Sequence, residues 1–216
     1  MEKNRNHHAG KRVRRLAMAA IMAFAVMPGS AASAANVEQV DTENDRGKTP
    51  VGLDYRDFQE AASTMVGGML QSGAVDKPGG GRYVLAISRV INDTMQPIDT
   101  DQLVKKIRIA LLQSGKVVVT TAVGAQGPED AMSMQARDLR ASDEFNQNTV
   151  ARKGQMVAPD LSLSGKIIQR NLRISGSKQR VEYYFMLTLT DIASGLALWE
   201  DETPIIKTAS NKAAAW

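Results

Sequence analysis

The feature that most constrains this chain is its first 35 residues. Lys3, Arg5, Lys11, Arg12, Arg14 and Arg15 stand against Glu2 alone. They run directly into the apolar stretch Leu16 to Met27, then Pro28-Gly29 and the small residues Ser30 to Ala35. A basic arm, a short apolar run and an A-x-A-like site predict a secretory signal peptide over residues 1–35, cleaved after Ala34 or Ala35. The apolar run is shorter than the roughly 20 residues that span a bilayer, so no integral membrane segment is expected after cleavage. The predicted location is the periplasm. The leader also holds +5 of the charge, so the formal +4 of the whole chain leaves −1 for the exported part. The basic isoelectric point therefore gives no ground for nucleic-acid binding.

Both histidines, His7 and His8, lie in that leader, and the chain has no cysteine. The exported part has no imidazole base for a Ser-His-Asp or Cys-His triad. It offers no His or Cys ligand for zinc either. No cofactor is expected. Asp99 with Asp101, Asp143 with Glu144, and Asp201 with Glu202 are carboxylate pairs of the kind glycoside hydrolysis uses. They have simpler readings as a helix start, loop charges and a solvated strand end, so no catalytic residue is assigned.

Residues 36–52 are polar and aperiodic and predict a short disordered linker, with one domain over 53–216. Asp54 suits an N-cap. Tyr55, Phe58, Ala62, Met65, Val66 and Met69 follow at spacings of three and four, predicting a helix that Gly73 stops. Gly67-Gly68 inside it implies fraying or a close approach by another element. Arg82 to Ile91 reads as a strand buried on both faces. Asp99 and Gln102 form a capping-box pattern for a helix lined by Leu103, Val104, Ile107, Leu111 and Leu112, and Lys116 to Thr121 is a second strand. This is a βαβ pattern. Residues 127–154 read as helix interrupted by loop. Leu161 to Ile167, Val181 to Thr190 and Leu196 to Glu200 alternate and are joined by short turns, giving a C-terminal antiparallel meander. The expected fold is α/β: a single-domain α/β sandwich on a mixed sheet.

The most uneven charge after the leader lies on the first hairpin of that meander. Lys166, Arg170, Arg173, Lys178 and Arg180 occur there without an acid between them. They suggest a positive face for an acidic partner surface or a polyanionic glycan, the alternative being a charged hairpin kept soluble and protected from edge-to-edge pairing.

Four segments in order, RYVLAISRVINDT (Arg82 to Thr94), L-x-x-K-I-R-x-x-L-x-x-S-G-K (Leu103 to Lys116), PDLSLSGKI (Pro159 to Ile167) and YFMLTLTDIASGLALWE (Tyr184 to Glu200), resemble the LpoB family. The resemblance covers roughly residues 53 to 207. It implies a domain similar to the N-terminal domain of TolB and the periplasmic part of CsgG. The implied function is non-catalytic: binding the regulatory domain of a class A, bifunctional penicillin-binding protein and stimulating peptidoglycan synthesis. The family's lipoproteins need a cysteine at the cleavage site, so this chain is expected to be exported without a lipid anchor. Its linker is also short beside the family's long tether. Ser164, Lys166, Arg170 and Arg173 are the expected partner-binding residues, and replacing Arg170 and Arg173 with Glu is expected to abolish binding. The alternative is a structural component of an envelope assembly, related to CsgG-type secretion or flagellar accessory proteins, which predicts a homo-oligomer.

Overall fold

In the computed structural model, residues 41–42, 47, 50–123, 130–210 and 212 are described. The leader and most of the linker lie outside them. The element order is α1 (Tyr55–Ser72), β1 (Tyr83–Asp93), α2 (Thr100–Gln113), β2 (Val117–Val119), α3 (Ala131–Asp138) with a 3-10 turn at Leu139–Ala141, β3 (Leu161–Arg173), β4 (Lys178–Asp191) and β5 (Ala197–Ser210). The five strands form one mixed sheet in the order β2-β1-β3-β4-β5. Strand β1 runs parallel to both β2 and β3, while β3, β4 and β5 are the antiparallel meander.

The start of α1 is fixed by a reciprocal cap. The Asp54 carboxylate accepts from the Arg56 and Asp57 amides, and the Asp57 carboxylate accepts from the Asp54 amide at 2.7 Å. Burial works to raise the Asp54 pKa, but these bonds, the Arg56 side chain and the Lys207 charge together hold it below the ordinary value. Gly73 closes the helix at φ 77°, a left-handed geometry that a residue with a Cβ adopts only under strain. The α2 start differs from the expected box: Asp99 caps through the Asp101 amide at 2.9 Å. Leu112, expected on the buried stripe, is 47% exposed, because the stripe closes at Leu111.

Helices α1 and α2 cover one face of the sheet. Leu85, Ile87 and Val90 of β1, Leu161, Leu163 and Ile167 of β3, and Val181, Tyr183, Phe185, Leu187 and Leu189 of β4 share one core with Phe58, Met65 and Met69 of α1 and Leu103, Ile107 and Leu111 of α2. Their registers agree: Leu163 faces Ile87 on one side and Leu189 on the other, and Ile167 faces Phe185. Phe58 meets Phe185 edge-on with ring centroids 6.0 Å apart, a favoured quadrupole geometry.

This one-sided cover corrects the reading of β1 as buried on both faces, since Ile91 is 45% exposed on the uncovered side. Its apolar run loses alternation for another reason. Ile87 pairs with Leu163 and Val90 with Gly165, so Ser88 and Arg89 together oppose Ser164 in a bulge.

One further expectation is revised. The last strand does not end at Glu200 but runs on to Ser210, past Asp201, Glu202 and Pro204. As the terminal strand of the sheet it tolerates charges and a proline that a central strand would not. Pro50 to Gly52, just before α1, are held against the sheet and the helix. Lys207 Nζ donates to the carbonyls of Pro50 at 3.2 Å and Gly52 at 2.6 Å, and to Asp57 Oδ2 at 2.6 Å. The Tyr183 hydroxyl donates to the Val51 carbonyl and accepts from Gln96. Burial, with the nearby Asp57 charge, pushes the Tyr183 phenol upward against the Gln96 bond.

Candidate partner-binding face

Side chains alternate along a strand, so each residue of β3 and β4 that faces away from α1 and α2 shares the uncovered face with its cross-strand partners. On β3 this set is Ser162, Ser164, Lys166, Ile168, Arg170 and Leu172. Opposite them on β4 stand Thr190, Thr188, Met186, Tyr184, Glu182 and Arg180. The structure therefore brings Ser164, Lys166 and Arg170 together on one face. It places Arg173 on the other side of the hairpin, in register with Gln179 and three positions past Arg170. An odd spacing along a strand makes that separation unavoidable.

Nor is the face uniformly positive. Lys166 Nζ lies 2.6 Å from Asp93 Oδ2 at the end of β1. Arg170 pairs in register with Glu182, which also accepts the Tyr184 hydroxyl at 2.8 Å and lies 3.6 Å from Arg180 Nη1. Glu182 is only 6% exposed although it stands on the uncovered face, because these neighbours close over it. Its bond keeps the Tyr184 proton in place and raises that phenol above its ordinary value. Farther across, Thr188 donates to Glu200 at 3.1 Å, and Glu202 pairs with Met186, so the β5 side of the face is acidic.

Sequence reasoning found the cations but missed Asp93, Glu182 and Tyr184. The missing information was the strand register, which alone places Asp93 beside Lys166 and Glu182 beside Arg170. The arrangement suits recognition: Tyr and Arg side chains clustered on a rigid sheet, with counter-charges that fix their orientation.

Gly165 sets the position of this cluster. A Cβ there would lie 2.7 Å from both the Met186 carbonyl oxygen and Leu187 Cδ2. Any side chain would force β3 away from β4 and carry Ser164 and Lys166 with it. At the opposite end of β3, Asp160 accepts from the Val84 amide at 2.9 Å and from Lys77 at 3.0 Å, tying the strand to β1. Those two bonds, the Val84 amide first, hold the Asp160 carboxyl below the ordinary range.

Of the carboxylate pairs weighed for hydrolysis, Asp99 and Asp101 sit at the start of α2, where Asp99 caps the helix. Asp201 and Glu202 alternate to opposite faces of β5, and Asp143 and Glu144 lie exposed in the loop after α3. Among the described residues no group of three or more His, Cys, Asp or Glu side chains is placed to hold a metal ion. No helix among them is long and apolar enough to cross a membrane.

A family model described as peptidoglycan-synthase activator LpoB matches residues 57–205, from the first turns of α1 into β5. No curated protein sequence matches the chain. Among solved structures the chain is similar to the LpoB C-terminal domain from Salmonella enterica, at 14% identity and a TM-score of 0.42 over 69% of this chain and 98% of that one. The LpoB C-terminal domain from Escherichia coli gives 15% identity, the same score and the same coverage. Lipoprotein GNA1162 from Neisseria meningitidis has 12% identity and a score of 0.33, covering 62% and 88%.

Proposed function

We propose, for a chain that belongs to the LpoB family of peptidoglycan-synthase activators, that it is an exported, non-catalytic accessory protein of the periplasm. Its partner on this reading is a bifunctional, class A penicillin-binding protein, whose glycan polymerisation and cross-linking it raises by contact. Activation is then a matter of linkage: a protein that binds the active conformation better than the inactive one shifts the synthase toward activity. The leader read from residues 1–35 supplies the export route.

The observation that carries the proposal is the family match, which spans all of β1 to β4 and so includes the β3–β4 part of the uncovered face. Ser164, Lys166 and Arg170 form the contact on that face, with Tyr184 between the two strands' cations. Arg173 is on the other side of the hairpin and is peripheral to it. The test is to titrate the exported protein into purified class A synthases of the same cell while measuring glycan polymerisation and binding. Saturable binding with a rise in polymerisation rate is expected. Failure to bind any of them contradicts the proposal.

A further inference from the structure

The outer edge of β5 is a different kind of surface. This strand is 14 residues long and, among the described residues, pairs with β4 alone. Helix α1 packs under it through Trp199, Ile205 and Lys207 but leaves the strand the terminal member of the sheet. A terminal strand presents a row of backbone donors and acceptors to whatever can pair with them.

The register shows which ones. At the β3–β4 turn the Lys178 carbonyl accepts from the Ile174 amide, so the even-numbered residues of β4 direct their backbone groups to β3. Their β5 partners are also even-numbered: Glu182 with Ile206, Tyr184 with Pro204, Met186 with Glu202 and Thr188 with Glu200. These β5 residues therefore aim their backbone groups outward. Pro204 agrees, since a proline is tolerated in a strand where its nitrogen faces away from the neighbour. The outward amides are those of Glu200, Glu202, Ile206 and Thr208; that of Glu202 donates to Asp201 Oδ1 at 2.8 Å, and among the described residues those of Glu200, Ile206 and Thr208 have no partner.

The side chains along this edge select what pairs with it. Glu200, Asp201 and Glu202 are consecutive, and Pro204 comes two residues later. A second copy of β5 pairing about this stretch would set acid against acid, a destabilising cross-strand arrangement, and would meet the proline gap from both sides. An extended segment carrying lysine or arginine gains on both counts: its backbone completes the ladder, and its alternate side chains lie beside Glu200 and Glu202. Ile206, 55% exposed, offers an apolar contact next to them.

We propose that the outer edge of β5 takes up an extended, lysine- or arginine-bearing segment of a protein partner by strand addition, centred on Glu200 to Ile206. This site is distinct from the β3–β4 contact and does not depend on which protein supplies the segment. Its test is amide hydrogen exchange on the exported protein with a ten-residue peptide alternating lysine and valine, and with the same peptide carrying glutamate for lysine. The lysine peptide slows exchange of the Glu200, Ile206 and Thr208 amides by about tenfold, and the glutamate peptide does not. In the double variant Glu200→Lys, Glu202→Lys the preference reverses. That reversal reports on a folded protein and so separates lost recognition from lost structure. Equal protection by both peptides, no protection by either, or protection that rises with protein concentration alone, as a second copy would give, overturns the proposal.

Discussion

Tyr184 and Phe185 are adjacent in β4, yet they belong to surfaces with different tasks. Phe185 is 1% exposed, facing Phe58 of α1 and Ile167 of β3. Tyr184 faces the other way, its hydroxyl spent on Glu182 among three cations. The helix-covered face is apolar and closed, and it holds the fold. The uncovered face mixes exposed apolar side chains with polar groups that order one another. A sheet covered on one side can thus change its recognition surface at alternate positions without rebuilding its interior.

The largest expected effect separates these two neighbours. Phe185→Ala removes a buried aromatic and is expected to cost about 3–5 kcal/mol. Tyr184→Ala is expected to stay within about 1 kcal/mol of the parent while weakening partner binding. Urea denaturation with a binding titration on each variant checks the pair, and equal destabilisation would break the comparison.

The next effect tests a buried ion pair on the closed side. Lys207 and Asp57 are each only 10% exposed in their ion pair, so Lys207→Met strands a buried carboxylate and is expected to cost about 3 kcal/mol. The same change frees the Pro50 and Gly52 carbonyls. Faster amide exchange at Leu53, measured beside the denaturation midpoint, is the accompanying sign.

Two glycines sharpen the contrast at smaller magnitude. Gly165→Ala is expected to destabilise by about 1–3 kcal/mol, because its Cβ meets backbone that cannot move aside. Gly67→Ala has open space around the new methyl and is expected to stabilise α1 by up to about 1 kcal/mol. Thermal melts of both variants measure opposite signs. The adjacent Gly68 explains why the pair is tolerated in α1: Asp201 Oδ2 would lie 3.2 Å from its Cβ, so the helix is continuous there and β5 approaches it closely.

Much of the closed side was legible in the sequence, because helical spacing and strand alternation both report on burial. The spacing from Tyr55 to Met69, with Asp54 and Gly73 at its ends, marks α1, and the βαβ unit is marked by its own caps and breaks. Where alternation was interrupted, the reading went astray. The Ser88-Arg89 bulge made β1 look buried on both faces, and the charges at Asp201 and Glu202 made β5 look finished ten residues early. The uncovered face was legible only in part. Its cations stand together in the sequence, but Asp93 reaches Lys166 from a distant strand, and Arg173 leaves the group through the parity of its position. Composition shows which charges a segment holds, and register decides which of them meet.

The central claim is that the uncovered β3–β4 face, and not the hairpin as a whole, contacts the synthase. It is tested most directly by measuring synthase affinity for Lys166→Glu, Arg170→Glu as a double variant and for Arg173→Glu alone, with denaturation midpoints confirming that each remains folded. Loss of binding in the double variant with near-parental affinity in Arg173→Glu is the predicted result. Binding that survives the double variant, or that falls equally with Arg173→Glu, contradicts it.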